Sequence, residues 1–274
     1  MTFLPRTPVV LLMSLTTSLL AFQGGGFQRR FNPYPAYESS GDSKHEFAWS
    51  RLQYTPLGGG GYGGFGGYNR GGFSSWSRDY PKADITFLAA LRRLTRIDAR
   101  SYQQVVDLES DAIFNFPFVY AVQVQSWTFS DQQAARLRDY LLKGGFLMVD
   151  DFHGTFEWDV FTQSMSRIFP DRPIVELPDA DPIFHTVYDL DQRVQVPGLQ
   201  YLYSGRICEK CENGGKIPHW RGIYDDDGRV MVAMCFNQDD GDAWEHADNP
   251  QYEAKYTSQA YRLGINYVIY AMTH

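Results

Sequence analysis

Hydrophobic and polar residues recur with two different periods along the chain. A period of two, typical of strands, covers residues 47–54, and a period near 3.6, typical of amphipathic helices, covers residues 76–96. Both periods return further along the sequence. Together they predict strands at 47–54, 105–108, 118–124, 146–149, 173–177, 221–224 and 229–236, and helices at 76–96, 130–142, 156–169 and 254–272.

Local signals support these elements. Ser130 and Gln133 form a capping box at a helix start, and residues 225–228 (Asp-Asp-Asp-Gly) form a turn that joins the last two strands in a hairpin. Residues 146–149 are continuously apolar, as in parallel strands that are covered on both faces. Because strands alternate with helices, the sequence predicts an α/β fold with an open, mostly parallel sheet flanked by helices.

The N-terminus has the features of a bacterial export signal. Arg6 precedes an uncharged apolar run from Val9 to Phe22, so residues 1–22 are predicted to be a signal peptide. The run is short for a membrane span and is followed by glycines, so we expect no stable span after cleavage, with an uncleaved anchor as the alternative. These features predict a periplasmic or secreted protein.

Composition divides the rest of the chain. Residues 23–45 are rich in Gly, Pro, Ser and Tyr and are predicted to form a disordered leader. Residues 46–274 are predicted to form a single domain with a Gly-rich insertion at 57–73, which is interpreted as a surface loop or, alternatively, as a lid or partner-binding loop. The formal net charge of -7 leaves no general basic surface, so nucleic acid is not an expected partner.

Polar residues follow two predicted strands at their carboxyl ends, where open parallel sheets bind ligands. Asp150, Asp151 and His153 follow strand 146–149, with Glu157 near the same rim. A second group follows strand 229–236 and consists of Asn237, Asp239, Asp240, Asp242, Glu245 and His246. Converging carboxylates and imidazoles can bind a metal or act as an acid/base pair. Helix capping and turn formation explain the same residues without a ligand, and this alternative stays open.

The cysteines offer several chemistries. Cys208 and Cys211 are spaced for a small disulfide in an oxidising compartment, with a redox pair or free thiols as alternatives. A zinc site would need Cys235 and His219 as further ligands, and no second CxxC or paired His spacing supports it. The sequence therefore requires no cofactor.

Longer motifs resemble a known protein family. They are FAWSRLQY at 47–54, DYPKAD at 79–84, GGFLMVDDF at 144–152 and YRLGINY at 261–267. In this order they resemble the DUF4159 family of bacterial proteins, over residues 47–274. A more distant likeness, carried by Gly144-Gly145 and Trp158, is to the trehalose-utilisation-type branch of the class I glutamine amidotransferase-like superfamily. That likeness implies a flavodoxin-like sheet.

The distant superfamily places a nucleophilic cysteine at the turn where this chain has Asp150-Asp151-Phe152-His153. Without a thiol or hydroxyl there, glutamine amidotransferase activity is not expected. We therefore predict a non-catalytic module of the cell envelope that binds a small-molecule ligand or an envelope protein. The alternative is a metal-assisted or carboxylate-based hydrolase acting on carbohydrate, in which Asp151 and His153 work opposite Asp239, Asp242 and Glu245.

Overall fold

The computed structural model describes residues 45–57 and 75–274. The predicted signal peptide, the leader up to residue 44 and residues 58–73 of the Gly-rich insertion lie outside the described residues. Within the described part of the chain, no helix combines the length and the apolar character needed to cross a bilayer.

The strands form one large sheet and one small one. They are β1 (Ser50–Leu52), β2 (Thr55–Pro56), β3 (Gln104–Val106), β4 (Phe118–Val122), β5 (Trp127–Thr128), β6 (Phe146–Asp150), β7 (Val175–Glu176), β8 (His219–Tyr224) and β9 (Val230–Phe236). The 7-stranded sheet has the order β3-β1-β4-β6-β9-β8-β7. Strands β3, β1, β4, β6 and β9 are parallel, and β8 is antiparallel to both of its neighbours. The predicted open, mostly parallel sheet and the hairpin of β8 and β9 are thus confirmed.

Helices flank this sheet. They are α1 (Lys82–Leu94), α2 (Asp131–Leu142), α3 (Gly154–Ile168), α4 (Leu199–Tyr203), α5 (Asp240–Glu245) and α6 (Ala254–Thr273). The Ser130–Gln133 capping box at the start of α2 is confirmed. Helix α1 begins later than residue 76, because residues 75–77 form a separate 3-10 turn. The short helices α4 and α5 were not predicted from the periodicity.

Side chains that alternate along the central strands fill two separate cores. Phe118, Tyr120 and Val122 of β4 pack on the side of α1, α5 and α6. Val119 and Ala121 of the same strand pack on the side of α2 and α3. Strands β6 and β9 divide their side chains in the same way. Both faces of the sheet are therefore covered, which explains why β6 is continuously apolar.

The first predicted strand is shorter than its pattern suggests. Only Ser50–Leu52 of residues 47–54 forms β1, which pairs with β3 and β4, and Phe47 adds an isolated bridge to Ala99. After Leu52 the chain leaves the large sheet, since β2 pairs with β5 instead. The alternation of apolar and polar residues therefore extends beyond the segment that pairs with β3 and β4.

The strand order brings the functional candidates together. From β1 the chain crosses to β3 on one side, whereas β4, β6 and β9 follow one another on the other side, so the order reverses between β1 and β4. Strands β6 and β9 are hydrogen-bonded neighbours, so the segments after their carboxyl ends lie side by side. Strand β6 is an interior strand, as the site prediction required.

Candidate functional site

The ends of β6 and β9 turn through matching left-handed residues. Asp151 has a φ of 53° and Asn237 a φ of 62°, a region that Asp and Asn tolerate better than most residues. The two turns are cross-linked by backbone hydrogen bonds, from Asp151 N to Gln238 O (3.2 Å) and from Asn237 N to Phe152 O (3.0 Å). The two polar segments are thereby held in a fixed relation.

Asn237 clamps three segments instead of facing a ligand. Its Oδ1 accepts a hydrogen bond from Gly154 N at the start of α3 (2.8 Å). Its Nδ2 donates to Gly214 O (3.0 Å) and Ile217 O (2.7 Å) in the segment before β8. Asn237 was predicted as a binding residue. In the structure both Nδ2 hydrogens and one lone pair of Oδ1 are used in these structural hydrogen bonds.

A disulfide between Cys208 and Cys211 closes a tight loop, which we call the disulfide loop (residues 208–211). This pairing is the first of the sequence alternatives, and the zinc set is not assembled. Of the four residues proposed as zinc ligands, Cys208 and Cys211 are bonded to each other. His219, in β8, instead contacts Glu176 of β7, with its Nδ1 3.1 Å from Glu176 Oε2. The loop positions two charged side chains in different environments: Glu209, which is 8% exposed, and Lys210, which pairs with Glu157.

Side chains from several separate segments converge beyond the strand ends. His153 Nε2 lies 3.3 Å from Asp151 Oδ1 and 3.8 Å from Glu209 Oε2. Asp79, Asp239 and Asp242 form a second group, in which one oxygen of each lies within 4.8 Å of the others. We call the whole set the acidic centre, which comprises Asp79, Asp151, His153, Glu209, Asp239 and Asp242.

Gly198 joins the two groups because it lacks a side chain. A Cβ at this position would lie 2.6 Å from Glu209 Oε1, 2.8 Å from Asp239 Oδ2 and 3.3 Å from Asp242 Oδ2. The three carboxylates therefore surround one point, and any larger residue at 198 would displace them. The neighbouring Leu199 N donates a hydrogen bond of 2.7 Å to Asp242 Oδ2.

The carboxyl groups of the acidic centre lack a directly paired cation, although Arg51 acts on Asp79 and Arg78 acts on Asp242 at longer range. Among the described residues, no Lys or Arg forms an ion pair with any of its carboxylates. Burial, and then the neighbouring carboxylates, raise the pKa of Asp79 and of Asp239 well above the usual range. Burial also raises the pKa of Glu209 to about 7, although His153 opposes the shift.

Several polar atoms of the centre are buried without a hydrogen-bond partner of normal geometry among the described residues. They include both ring nitrogens of His153, which is 3% exposed, and Oδ2 of Asp79. Such atoms are rare in folded proteins unless a ligand, ion or water satisfies them. Carboxylate oxygens with one imidazole nitrogen suit a hard or borderline divalent cation.

Three partly exposed residues lie at the edge of the acidic centre, and we call them the mouth (Asp242, Glu245 and His246). All three side chains are half-buried. His246 Nε2 lies 3.7 Å from Asp242 Oδ1 and 3.7 Å from Glu245 Oε2. Burial raises the pKa of Glu245, so the mouth favours protonated or cation-bound carboxyl groups.

The predicted site residues lie in three different places in the structure. Asp151, His153, Asp239 and Asp242 come together in the acidic centre, and Glu245 lies at its mouth. Glu157 lies at the rim, where Oε2 accepts from His153 N at 2.6 Å. Asp150 and Asp240 point into the protein and lie in a separate buried group with Cys235.

The capping interpretation accounts for only part of the cluster. Helix α3 has His153 at its N-cap and no side-chain cap, so neither Asp150 nor Asp151 caps it. Asp239 does cap α5, where its Oδ1 accepts from Asp242 N at 2.9 Å. Its second oxygen faces Gly198 and the other carboxylates. Asp239 therefore combines a structural contact with a place in the acidic centre.

Two residues of the acidic centre were missed in the sequence. Asp79 lies in a turn before α1 with a φ of 59°, and its Oδ2 approaches the backbone of Gly241. Glu209 stands inside the CxxC motif, which was considered only for its cysteines. A charged residue enclosed by a disulfide-forming motif is the signal that could have indicated Glu209.

Comparison with known proteins identifies the family. The model of the domain of unknown function DUF4159 matches residues 68–272, so the chain belongs to the DUF4159 family. No curated protein matches the sequence.

Proposed function

We propose that this DUF4159 protein is an exported, metal-assisted hydrolase whose acidic centre binds a divalent cation. The observation that carries the proposal is the buried imidazole of His153, which lacks hydrogen-bond partners among the described residues and is aimed at Asp151 and Glu209. Carboxylates that face one another without a counter-charge repel, and a cation is the ligand that would reverse this repulsion.

The residues divide into cation-holding and proton-transferring groups. Asp151, Glu209 and Asp239 would hold the cation, together with the neutral imidazole of His153. A divalent cation held by these residues would supply the Lewis acidity that activates a water as a nucleophile. His246 at the mouth is placed to accept or return a proton, since its Nε2 lies between the carboxylates of Asp242 and Glu245.

The surroundings of the mouth favour a neutral substrate. Its carboxylates would repel phosphorylated or sulfated molecules. Tyr203, which is 59% exposed, is connected to this region because its hydroxyl accepts from Asn249 Nδ2 (3.1 Å), and Asn249 N donates to His246 O. An exposed aromatic ring linked to the mouth in this way offers an apolar face on which a sugar ring could stack, which supports carbohydrate as the substrate class.

The distant resemblance to amidotransferases supports the scaffold but not their chemistry. Asp151 lies in the left-handed turn between β6 and α3, the turn to which the distant likeness would assign the cysteine of that superfamily. A carboxylate there can hold a cation, whereas acyl transfer to a thiol lacks its nucleophile. Export is supported by the disulfide between Cys208 and Cys211, since such bonds persist in oxidising compartments.

A second candidate is the non-catalytic ligand-binding module. The observation in its favour is that the inner residues are nearly enclosed: Asp151 and Asp239 are each 6% exposed, and Glu209 is 8% exposed. A cation held there would stabilise the loops around it without contacting a substrate. The two candidates share the cation and differ in the role of the mouth.

Both candidates are tested on the protein beginning after residue 22, stripped with EDTA and supplied with Mn²⁺, Mg²⁺, Ca²⁺ or Zn²⁺. Hydrolysis is measured on nitrophenyl glycosides, with nitrophenyl phosphate as the charged comparison. We expect cation-dependent glycoside hydrolysis that falls about a hundredfold in His246→Gln while cation binding persists. Asp239→Asn should lose both properties. The matched control, Asp159→Asn, lies exposed on α3 and should change neither.

The outcomes separate the candidates. Cation binding without hydrolysis of any substrate would support the non-catalytic module and contradict the hydrolase. Absence of cation binding in the wild-type protein would contradict both.

A further inference from the structure

A second group of metal-ligating side chains lies on the other side of the same strand ends. Asp150, Cys235 and Asp240, which we call the inner group, each offer a ligand atom within 4.8 Å of the others. All three residues are 0% exposed. They come from the last residue of β6, the penultimate residue of β9 and the first residue of α5.

The inner group and the acidic centre take their carboxylates from the same two pairs of consecutive aspartates. Asp150 and Asp151 are consecutive, as are Asp239 and Asp240, and in each pair one carboxylate enters the acidic centre while the other turns towards the core. On the core side the Asp150 Oδ2 accepts from Tyr120 OH (2.9 Å) and from Gly241 N (3.0 Å). Two neighbouring strand ends thus deliver carboxylates to two separate places.

The inner group buries its carboxyl groups around the Cys235 thiol, which faces both Asp240 and Tyr267. Neither carboxylate oxygen of Asp240 has a hydrogen-bond partner of normal geometry, nor does Oδ1 of Asp150. The hydroxyl of Tyr267 in α6 faces the same group and is also buried without such a partner. Among the described residues no Lys, Arg or His forms an ion pair with Asp150 or Asp240.

Packing alone does not account for this arrangement. Burying a carboxyl group without hydrogen bonds is costly, and apolar residues of similar size would fill the same volume at lower free energy. Two such groups beside a thiol are the arrangement that a metal ion requires, since each unsatisfied atom then becomes a ligand.

We propose that Asp150, Cys235 and Asp240 bind a zinc ion beneath the acidic centre. Sulfur and carboxylate oxygen together suit Zn²⁺, whereas Ca²⁺ and Mg²⁺ take oxygen ligands. The Tyr267 hydroxyl is placed as a further donor. Binding would release the thiol proton and any proton held by the carboxyl groups to solvent. Because the group is fully enclosed, this zinc is structural and fixes β6, β9 and α5 relative to one another.

Cobalt substitution tests the proposal directly. Cys235 is the one cysteine outside the disulfide, so a thiolate-to-cobalt charge-transfer band can arise from no other side chain of this protein. The protein beginning after residue 22 is refolded without reductant in the presence of Co²⁺ or Zn²⁺. We expect one tightly held ion per chain in addition to any ion at the acidic centre, and a charge-transfer band that disappears in Cys235→Ser.

Two further variants separate this site from the acidic centre. Asp240→Asn should lose the band, whereas Asp151→Asn should keep it while losing cation-dependent hydrolysis. A folded wild-type protein that retains no zinc and shows no band would overturn the proposal, whatever the variants do. A band in wild type that persists in folded Asp240→Asn would overturn the assignment of Asp240 as a ligand.

Discussion

Two regions of this protein bury carboxylates in opposite ways. Asp84 at the start of α1 is fully buried, and both of its oxygens accept from Arg51, through Nε at 3.0 Å and Nη2 at 2.7 Å. Trp49 Nε1 also donates a hydrogen bond to Asp84. Arg51 Nη1 donates hydrogen bonds to the carbonyl oxygens of Trp76 and Arg78. The acidic centre contains more carboxylates and no such cation among the described residues.

The comparison separates a structural use of buried charge from a functional one. A bidentate Arg–carboxylate pair in which every guanidinium nitrogen donates a hydrogen bond is a complete unit that needs no ligand. Carboxylates that share one space without a counter-charge reduce stability, so a folded chain retains them where a ligand completes them. In the proposed function a bound cation completes the acidic centre, whereas the Arg51–Asp84 pair is complete within the chain.

Removing the arginine should make the first region resemble the second. Arg51→Met leaves Asp84 buried without its partner, and we expect the free energy of unfolding to fall by about 4 kcal/mol. Urea denaturation measures this loss. Arg92→Met, an exposed position on α1, is the matched control and should change stability by less than about 0.5 kcal/mol. Equal stability of Arg51→Met and the control would show that the pair is not a structural unit.

The cation-free acidic centre should make stability depend on pH. The pKa of Glu209 is raised from 4.5 to about 7 in the folded protein, mainly by burial, and those of Asp79, Asp239 and Asp242 are also raised. The folded state therefore holds protons more tightly than the unfolded state. Its extra stability is present below pH 4.5 and is lost as pH rises through 7.

For Glu209 alone the loss is up to about 3 kcal/mol between those limits. Urea denaturation of EDTA-treated protein at a series of pH values measures it. Glu209→Gln should make the free energy of unfolding depend less on pH. Saturating Mn²⁺ should reduce the loss of stability at high pH. Stability that stays constant across this range without cation would contradict the raised pKa of Glu209.

The disulfide loop should contribute to both stability and cation affinity. Replacing both cysteines, by Cys208→Ser with Cys211→Ser, removes the constraint on a very short loop, for which we expect a loss of about 2 kcal/mol in the free energy of unfolding. Because Glu209 lies between the two sulfurs, the affinity for Mn²⁺ should fall about tenfold, or about 1.4 kcal/mol. Calorimetric titration of both proteins decides this, and unchanged affinity would remove Glu209 from the ligand set.

The sequence predicted the strand ends better than the site around them. The apolar run of β6 and its stop at Asp150 follow from periodicity alone. The meeting of the polar segments after β6 and β9 was a hypothesis in the sequence, and the pairing of these two strands brings it about. The opposite orientations of Asp150 and Asp151 depend on the left-handed turn at Asp151, which the pattern of residues does not contain.

Asp79 and Glu209 could not be placed because they enter from segments without periodicity. Asp79 depends on the turn before α1, and Glu209 depends on a loop held by the disulfide and by Asn237. Their positions are set by contacts between residues far apart in sequence, which local patterns do not contain. The predicted length of the first strand was wrong for a related reason. The chain leaves the large sheet after β1 because β2 pairs with β5.

The most direct test of the account is calorimetric titration of Mn²⁺ into EDTA-treated protein. We predict stoichiometric binding in the wild type and in the exposed control Asp159→Asn, with binding lost when Glu209→Gln is combined with Asp239→Asn. Binding of equal affinity in the wild type and the double variant, or no binding in any of the three, would contradict the assignment of the acidic centre as a cation site.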